Sequence, residues 1–204
     1  FTIMLRECIP SFAIYEGEVF NRLVNTLSST IVSDKSSFNY STGYNGILLK
    51  FGVGGVHGCI QNGKYVASED NMIVDIDIVS MYASIATSLG IKPRHTNQAF
   101  IDAMKVVLNE RFESLSCNDD TNKGKVVILK QVLNYIYGKT KEEGNMFYDP
   151  KYSLDVTIAA QLFMAKFLEL LRKRIERVKF LMVNTDSVTF VMKKSQKGEL
   201  RQNR

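Results

Sequence analysis

Apolar residues in this chain fall into two kinds of run. Short continuous ones of strand length stand at 180–183 and 188–192, and between them lie Asn184, Thr185, Asp186 and Ser187. Two runs rich in Phe, Val and Met around four small polar residues predict a β-hairpin with Asp186 at its tip. A third run, 72–79, also reads as a strand. With a side-chain period of two, its Asp75 and Asp77 share one face. Carboxylates beside apolar neighbours are costly unless cations or donors meet them.

The other runs carry the helical period. A short helix is expected from Ser80 to Leu89, closed by Gly90 and Pro93. In 97–115, Phe100, Met104, Val107, Leu108, Phe112 and Leu115 form one apolar stripe. A polar turn over 114–123 leads to a second helix, 123–138, ended by Gly138. Its Lys123, Lys130, Asn134 and Tyr137 are spaced by seven, four and three, and so lie on one face. Two ammonium groups, an amide and a phenol suit a triphosphate and a base edge; a solvated face is the plainer alternative. A loop with a turn at Asp149-Pro150 precedes a long helix over 156–178, capped by Ser153 or Asp155. This helix is apolar at first and basic at its C-terminal end, where cations are favourable without any ligand.

Residues 1–50 carry less signal. A short amphipathic helix is expected from about Glu16, and 28–46, rich in Ser, Asn, Thr and Gly, reads as a connection. The four glycines of Gly52-Val53-Gly54-Gly55-Val56-His57-Gly58 suit a turn between strands, or close approach of backbone amides to a phosphate.

Composition narrows the picture a little. The 204 residues allow one large domain or two small ones. A net charge of +5, from 26 Lys and Arg against 21 Asp and Glu, leans toward anionic partners. Cys8, Cys59 and Cys117 are an odd count and form no close pair, so no disulfide framework or zinc site is suggested and a reducing, cytoplasmic location is expected. No apolar run reaches membrane-spanning length. The start at Phe1 and the polar end at 193–204 suggest a piece of a longer chain.

Two carboxylates on adjoining strands facing a lysine-bearing helix are what two-metal nucleotidyl transfer needs. The order of the motifs resembles phage-type family B DNA polymerases. Asp77-Ile-Val-Ser80-Met-Tyr82-Ala83-Ser84-Ile85 resembles their D-x-x-S-L-Y-P-S-I motif. Lys130-Gln-Val-Leu-Asn134-Tyr135-Ile-Tyr137-Gly138 resembles K-x-x-x-N-S-x-Y-G, and Asn184-Thr185-Asp186-Ser187 resembles D-T-D-S. Gly54-Gly55 resembles the Y-x-G-G segment near the template strand. This sequence departs from the pattern at Ala83 for Pro, Tyr135 for Ser and Asn184 for the first Asp.

The resemblance implies an α+β fold: an antiparallel palm sheet backed by helices, with a helical-hairpin fingers insertion. It divides the chain into a connecting segment 1–50, a first palm part 51–91, fingers 92–138 and a second palm part 139–204. It implies DNA-directed DNA synthesis with two Mg²⁺ ions held by Asp77 and Asp186, Asp75 being a bystander. Lys130 would grip the triphosphate, Tyr82 would stack under the sugar, and Asn134 and Tyr137 would line the nascent base pair. Ser80 lies among the main-chain amides of 78–82 that would meet the phosphates. Lys123 is placed by helical spacing alone, with Arg111 as its competitor. Gly54, Gly55 and Gly138 would lie against DNA. The expected partners are primer–template DNA and deoxynucleoside triphosphates, with no membrane. No exonuclease or thumb motif is legible, so those domains are expected outside this chain. A non-catalytic nucleic-acid-binding remnant of a polymerase is the alternative from another class, and a two-metal nuclease would need further carboxylates.

Overall fold

A computed structural model describes residues 1–117 and 122–200. The first elements are β1 (Thr2–Met4), α1 (Glu18–Ser29), β2 (Ile31–Ser33), β3 (Asn39–Tyr44), β4 (Ile47–Gly52), β5 (Gly55–Cys59) and β6 (Asn71–Asp77). Then follow α2 (Met81–Leu89), α3 (Gln98–Ser116), α4 (Asn122–Lys139), α5 (Pro150–Arg174), β7 (Lys179–Asn184) and β8 (Ser187–Lys193). The main sheet has six strands in the order β3-β4-β5-β7-β8-β6, and its pairs are antiparallel. The expected α+β class with an antiparallel sheet is thus observed. The β7–β8 hairpin inserts between β5 and β6, which are consecutive in sequence. β1 and β2 form a separate pair.

One face of the sheet is closed by α5. Ile158, Leu162 and Leu168 of the helix share a core with Leu49, Phe51, Phe180, Val183, Val188 and Phe190 of the sheet and with Phe20 and Leu23 of α1. Burying each such side chain contributes about 1.5–3 kcal/mol. Three buried polar side chains of this region bind backbone. Gln161 accepts from the Gly52 N–H at 3.1 Å and donates to the Gly52 carbonyl at 2.9 Å, clasping the end of β4. Glu169 accepts from the N–H groups of Glu16 and Gly17 at 3.0 and 2.8 Å, supplying the acceptor that α1 lacks at its own N-terminus. The Tyr15 hydroxyl donates to the Leu162 carbonyl at 2.7 Å.

Several sequence expectations need correction. The stretch 28–46 is not a plain connection: it holds β2 and β3, and β3 is an edge strand of the main sheet. The segment 1–50 as a whole joins the core through α1 and β4. Helix α5 starts at Pro150, not 156, because Asp149 caps it by accepting from the Lys151 N–H at 3.0 Å and Pro150 takes the first turn, where no N–H is needed. Gly138 does not end α4, which runs to Lys139. The buried face of α3 is Ile101, Met104, Leu108, Arg111 and Ser114, while Phe112 and Leu115 are exposed. The turn expected at 114–123 and the polar end at 193–204 lie partly outside the described residues. Among the described residues no helix is long and apolar enough to cross a membrane.

Candidate active site

Asp77 is the last residue of β6 and pairs across the ladder with Ser187, the first residue of β8. Asp186 stands one residue away at the hairpin tip. The tip is held from both sides: Thr185 N–H donates to the Val56 carbonyl at 2.8 Å, and Ile78 N–H donates to the Asp186 carbonyl at 2.9 Å. Thr185 itself has φ 54°, in the left-handed region. Gly55 must be small here, since a Cβ would meet Thr185 Oγ1 at 3.3 Å and the Tyr82 hydroxyl at 3.5 Å.

The two carboxylates lie in the wall of a cavity of about 350 Å³, shared with Ser80, Tyr82, Arg111, Lys130, Asn134 and Tyr137. Ser80 leads into α2 with φ 52° and ψ 39°, a conformation a residue with a Cβ rarely adopts. No side chain caps the α2 N-terminus, and Ser80 instead accepts from Arg111 Nη1 through its hydroxyl at 2.7 Å. Helix amides, a guanidinium and the Lys130 ammonium therefore converge on one cavity, an arrangement favourable to an anion. Arg111 is buried and its Nε has no partner, an orphan donor beside the cavity. Burial pulls its pKa down, while the charge of Asp77 pushes it up.

The far wall is aromatic. Tyr82 and Tyr137 meet with ring centroids 4.9 Å apart. The Tyr82 hydroxyl donates to the Gly54 carbonyl at 3.0 Å, tying α2 to the β4–β5 turn. Burial, helped by the charge of Asp186, pushes the Tyr82 phenol up to about 12. Burial also raises Tyr137, whose hydroxyl has no partner.

Of the residues chosen from sequence, Asp77, Asp186, Ser80, Tyr82, Lys130, Asn134 and Tyr137 come together around the cavity, and Gly54 and Gly55 border it through Tyr82. Lys123 and Gly138 do not line it. Arg111 does, and it sits in the 104, 108, 111 spacing of the buried face of α3. Asp75 lies apart and accepts from Thr189 Oγ1 at 2.6 Å. Thr185, from the hairpin motif, and Leu133 also line the cavity.

Burial, and then the charge of Asp77, raises the pKa of Asp186, and Lys130 only partly offsets this. Among the described residues neither Asp77 nor Asp186 has an ion pair, and no group of three or more His, Cys, Asp or Glu could close a metal shell on its own. Two repelling carboxylates in an open cavity fit a hard cation whose remaining ligands are waters and substrate phosphate oxygens. No protein-family model matches this chain, and no curated protein matches it.

Proposed function

We propose that the chain is the nucleotidyl-transfer portion of a DNA-directed DNA polymerase similar to family B, with β3–β8 and α5 as palm and α3–α4 as fingers. The observation that carries the reading is the meeting of Asp77 and Asp186, from strands far apart in sequence, across one cavity from Lys130, Asn134 and Tyr137. In the reaction a primer 3′-hydroxyl attacks the α-phosphate of a deoxynucleoside triphosphate, and pyrophosphate leaves. Asp77 and Asp186 would hold Mg²⁺, which when bound would supply Lewis-acid activation of the hydroxyl and neutralise phosphate charge. Lys130 and Arg111 meet the triphosphate, where charge develops on the leaving group. The N-terminal amides of α2 add donors to the same phosphates. Tyr82, held by its bond to the Gly54 carbonyl, presents its ring to the sugar, and Asn134 and Tyr137 present an amide and a ring to the base pair.

The test is primer extension by this protein with Mg²⁺ and all four deoxynucleotides. Template-directed incorporation that disappears in Asp77→Ala supports the reading. Full incorporation by Asp77→Ala removes it. Asn184, standing where a third carboxylate is expected, favours a second reading, a nucleic-acid-binding remnant without catalysis; incorporation by the unaltered protein excludes that one.

A further inference from the structure

Helix α4 presents three faces. Leu133 and Ile136 share the side packed on Met104 and Leu108 of α3. Lys130, Asn134 and Tyr137 share the side that lines the cavity. The third face, turned away from both, carries Ile128, Val132 and Tyr135 at the i, i+4, i+7 spacing of one stripe. Ile128 and Tyr135 are 59% and 63% exposed, and Val127 at the margin is 55% exposed. Among the described residues none of these four side chains joins a core cluster. Apolar residues scattered singly on a surface need no explanation, but an aligned and contiguous row of them marks a contact site.

The rim of the stripe is basic. From Asn122 to Lys139 the helix has four lysines and no Asp or Glu. Lys125 and Lys139 flank the stripe on one edge, and each is met by an acid from outside the helix: Lys125 by Glu110 of α3 at 2.7 Å, and Lys139 by Glu142. Lys139 also lies over the Tyr135 ring, 5.0 Å from its centroid. Both glutamates are about half exposed, so acids of a partner can take their place at little cost. Gly124 and Gly138 stand near the two ends of the stripe, and a Cβ at either would meet nothing within 4 Å. Glycine weakens a helix interior; here it leaves room for another chain to come close.

We infer that this outer face of α4 docks an amphipathic helix of a partner protein, apolar along its centre and acidic along its edges. Charge and shape select that occupant. A second copy of this chain would set the same four lysines against themselves. Single-stranded nucleic acid would satisfy the charge, but it binds by stacking on aromatic faces, and this stripe offers one ring, a face of which Lys139 takes. The β-branched side chains at 127, 128 and 132 instead form a ridge that seats between the side chains of a crossing helix. An acidic edge on that helix meets Lys125 and Lys139. Tyr135 stands where the family B pattern has Ser, so this anchor belongs to the present chain and not to the resemblance. The face is independent of what the cavity binds, since Lys130 and Asn134 project elsewhere; a docked helix would steady the element on which they stand.

The experiment is an anisotropy titration of the protein into a fluorescein-labelled synthetic helical peptide with a Leu stripe flanked on both sides by Glu, compared with the same peptide carrying Lys in place of Glu. The acidic peptide should bind at micromolar concentration, about tenfold tighter than the basic one, and more weakly as salt is raised. Ile128→Ser and Tyr135→Ser should each weaken it about tenfold or more, as truncation of a central anchor does. Both side chains are exposed, so the melting temperatures of these variants should stay near that of the unaltered protein. Val106→Ser, at an equally exposed apolar residue opposite the buried face of α3, should leave binding unchanged. Equal affinity for the two peptides, no measurable binding of the acidic one, or losses no larger in Ile128→Ser and Tyr135→Ser than in Val106→Ser overturn the inference. Binding of oligothymidine that the same two variants abolish gives the face to a nucleic acid and overturns it as well. Concentration-dependent self-association that they abolish gives the face to a second copy, with the same consequence. Primer extension is no part of these readouts, so the polymerase reading stands or falls separately.

Discussion

The β7–β8 hairpin buries Phe180, Val183, Val188, Phe190 and Met192 in the main core, whereas α4 buries one side chain, Leu133. Leu133 sits in a small cluster with Ala83, Met104 and Leu108. The rest of α4 leaves Val127, Ile128 and Tyr135 more than half exposed, and its cross-helix ion pair, Lys125 to Glu110 at 2.7 Å, is itself half exposed and contributes little. The candidate site is divided along this line. Its carboxylates stand on the firmly packed part, while Lys130, Asn134 and Tyr137 stand on the lightly held one. On the proposed reading, acids that share a cation would need fixed geometry. A cation that admits and releases a phosphate chain would be better placed on an element that can open at low cost.

The sharpest break of the comparison is at the acids. Asp77→Ala and Asp186→Ala should each abolish nucleotide incorporation, with the fold retained. In chelator, Asp186→Asn should melt higher than the unaltered protein, because burial and Asp77 both penalise the ionised carboxyl. The sign follows from its raised pKa: any stability this group contributes is present below its unfolded value of about 3.9 and is lost as pH rises through the folded one. The advantage of the Asn variant should therefore appear near neutral pH and vanish in acid. Extension assays and melting curves across pH check both outcomes. Asp75→Asn should keep most activity.

On the lightly held side, Lys130→Ala should raise KM for the nucleotide and lower kcat, with kcat/KM down roughly 10²-fold, since the ammonium acts on charge that grows in the transition state. Unchanged nucleotide dependence would return Lys130 to a solvated helix face. Tyr82→Val should admit ribonucleotides, and equal sugar discrimination by both proteins would take Tyr82 out of the sugar pocket.

How much of this was legible follows from the type of signal. The hairpin, β6, α3 and α4 announced themselves because local periodicity alone defines them. β3 did not, because Asn39-Tyr-Ser-Thr-Gly-Tyr44 is an edge strand with a mostly solvated face and has no apolar run to betray it. The start of α5 was missed because Asp-Pro serves equally as a turn and as an N-cap followed by a first-turn proline. Arg111 carries little local signal, because its partner Ser80 lies thirty-one positions earlier in the chain. The pairing of β5 with β7 leaves no sign in the sequence, since it joins 57–59 to 182–184 and no local pattern encodes it.

Next in size is the anchor of α4. Leu133→Ala should cost ~3 kcal/mol at that site, in the range for large-to-small changes at buried leucines. The cost should appear locally, as faster amide exchange in α3 and α4 and a higher KM, with the main core around α5 melting nearly as before. Leu162→Ala in α5 should instead lower the melting of the whole protein. If Leu133→Ala destabilises both regions equally, the two parts unfold as one unit and the division drawn above is wrong.

The smallest expected effect lies where the two parts are joined. Asp149, buried at the start of α5, accepts from Arg94 Nε and Nη2 and from the backbone N–H groups of Arg94 and Lys151, so the loop between α2 and α3 is fastened to the core helix. Burial works against the ionised form, but the bonds from Arg94 and Lys151 prevail and hold the Asp149 carboxyl below its ordinary range. For a depressed carboxyl the contribution is present above about 3.9 and is lost as pH falls through the folded value. Arg94→Ala removes the guanidinium but leaves both backbone donors. Because the Arg94 side chain is 67% exposed, the loss should be roughly 1 kcal/mol and not the several of a fully buried pair. Melting of the two proteins compared across pH should show that difference at neutral pH and closure of the gap in strong acid, where Asp149 is protonated in both. A gap that persists in acid would mean that Arg94 holds the loop by packing, and that charge plays no part in fastening α3 and α4 to the core.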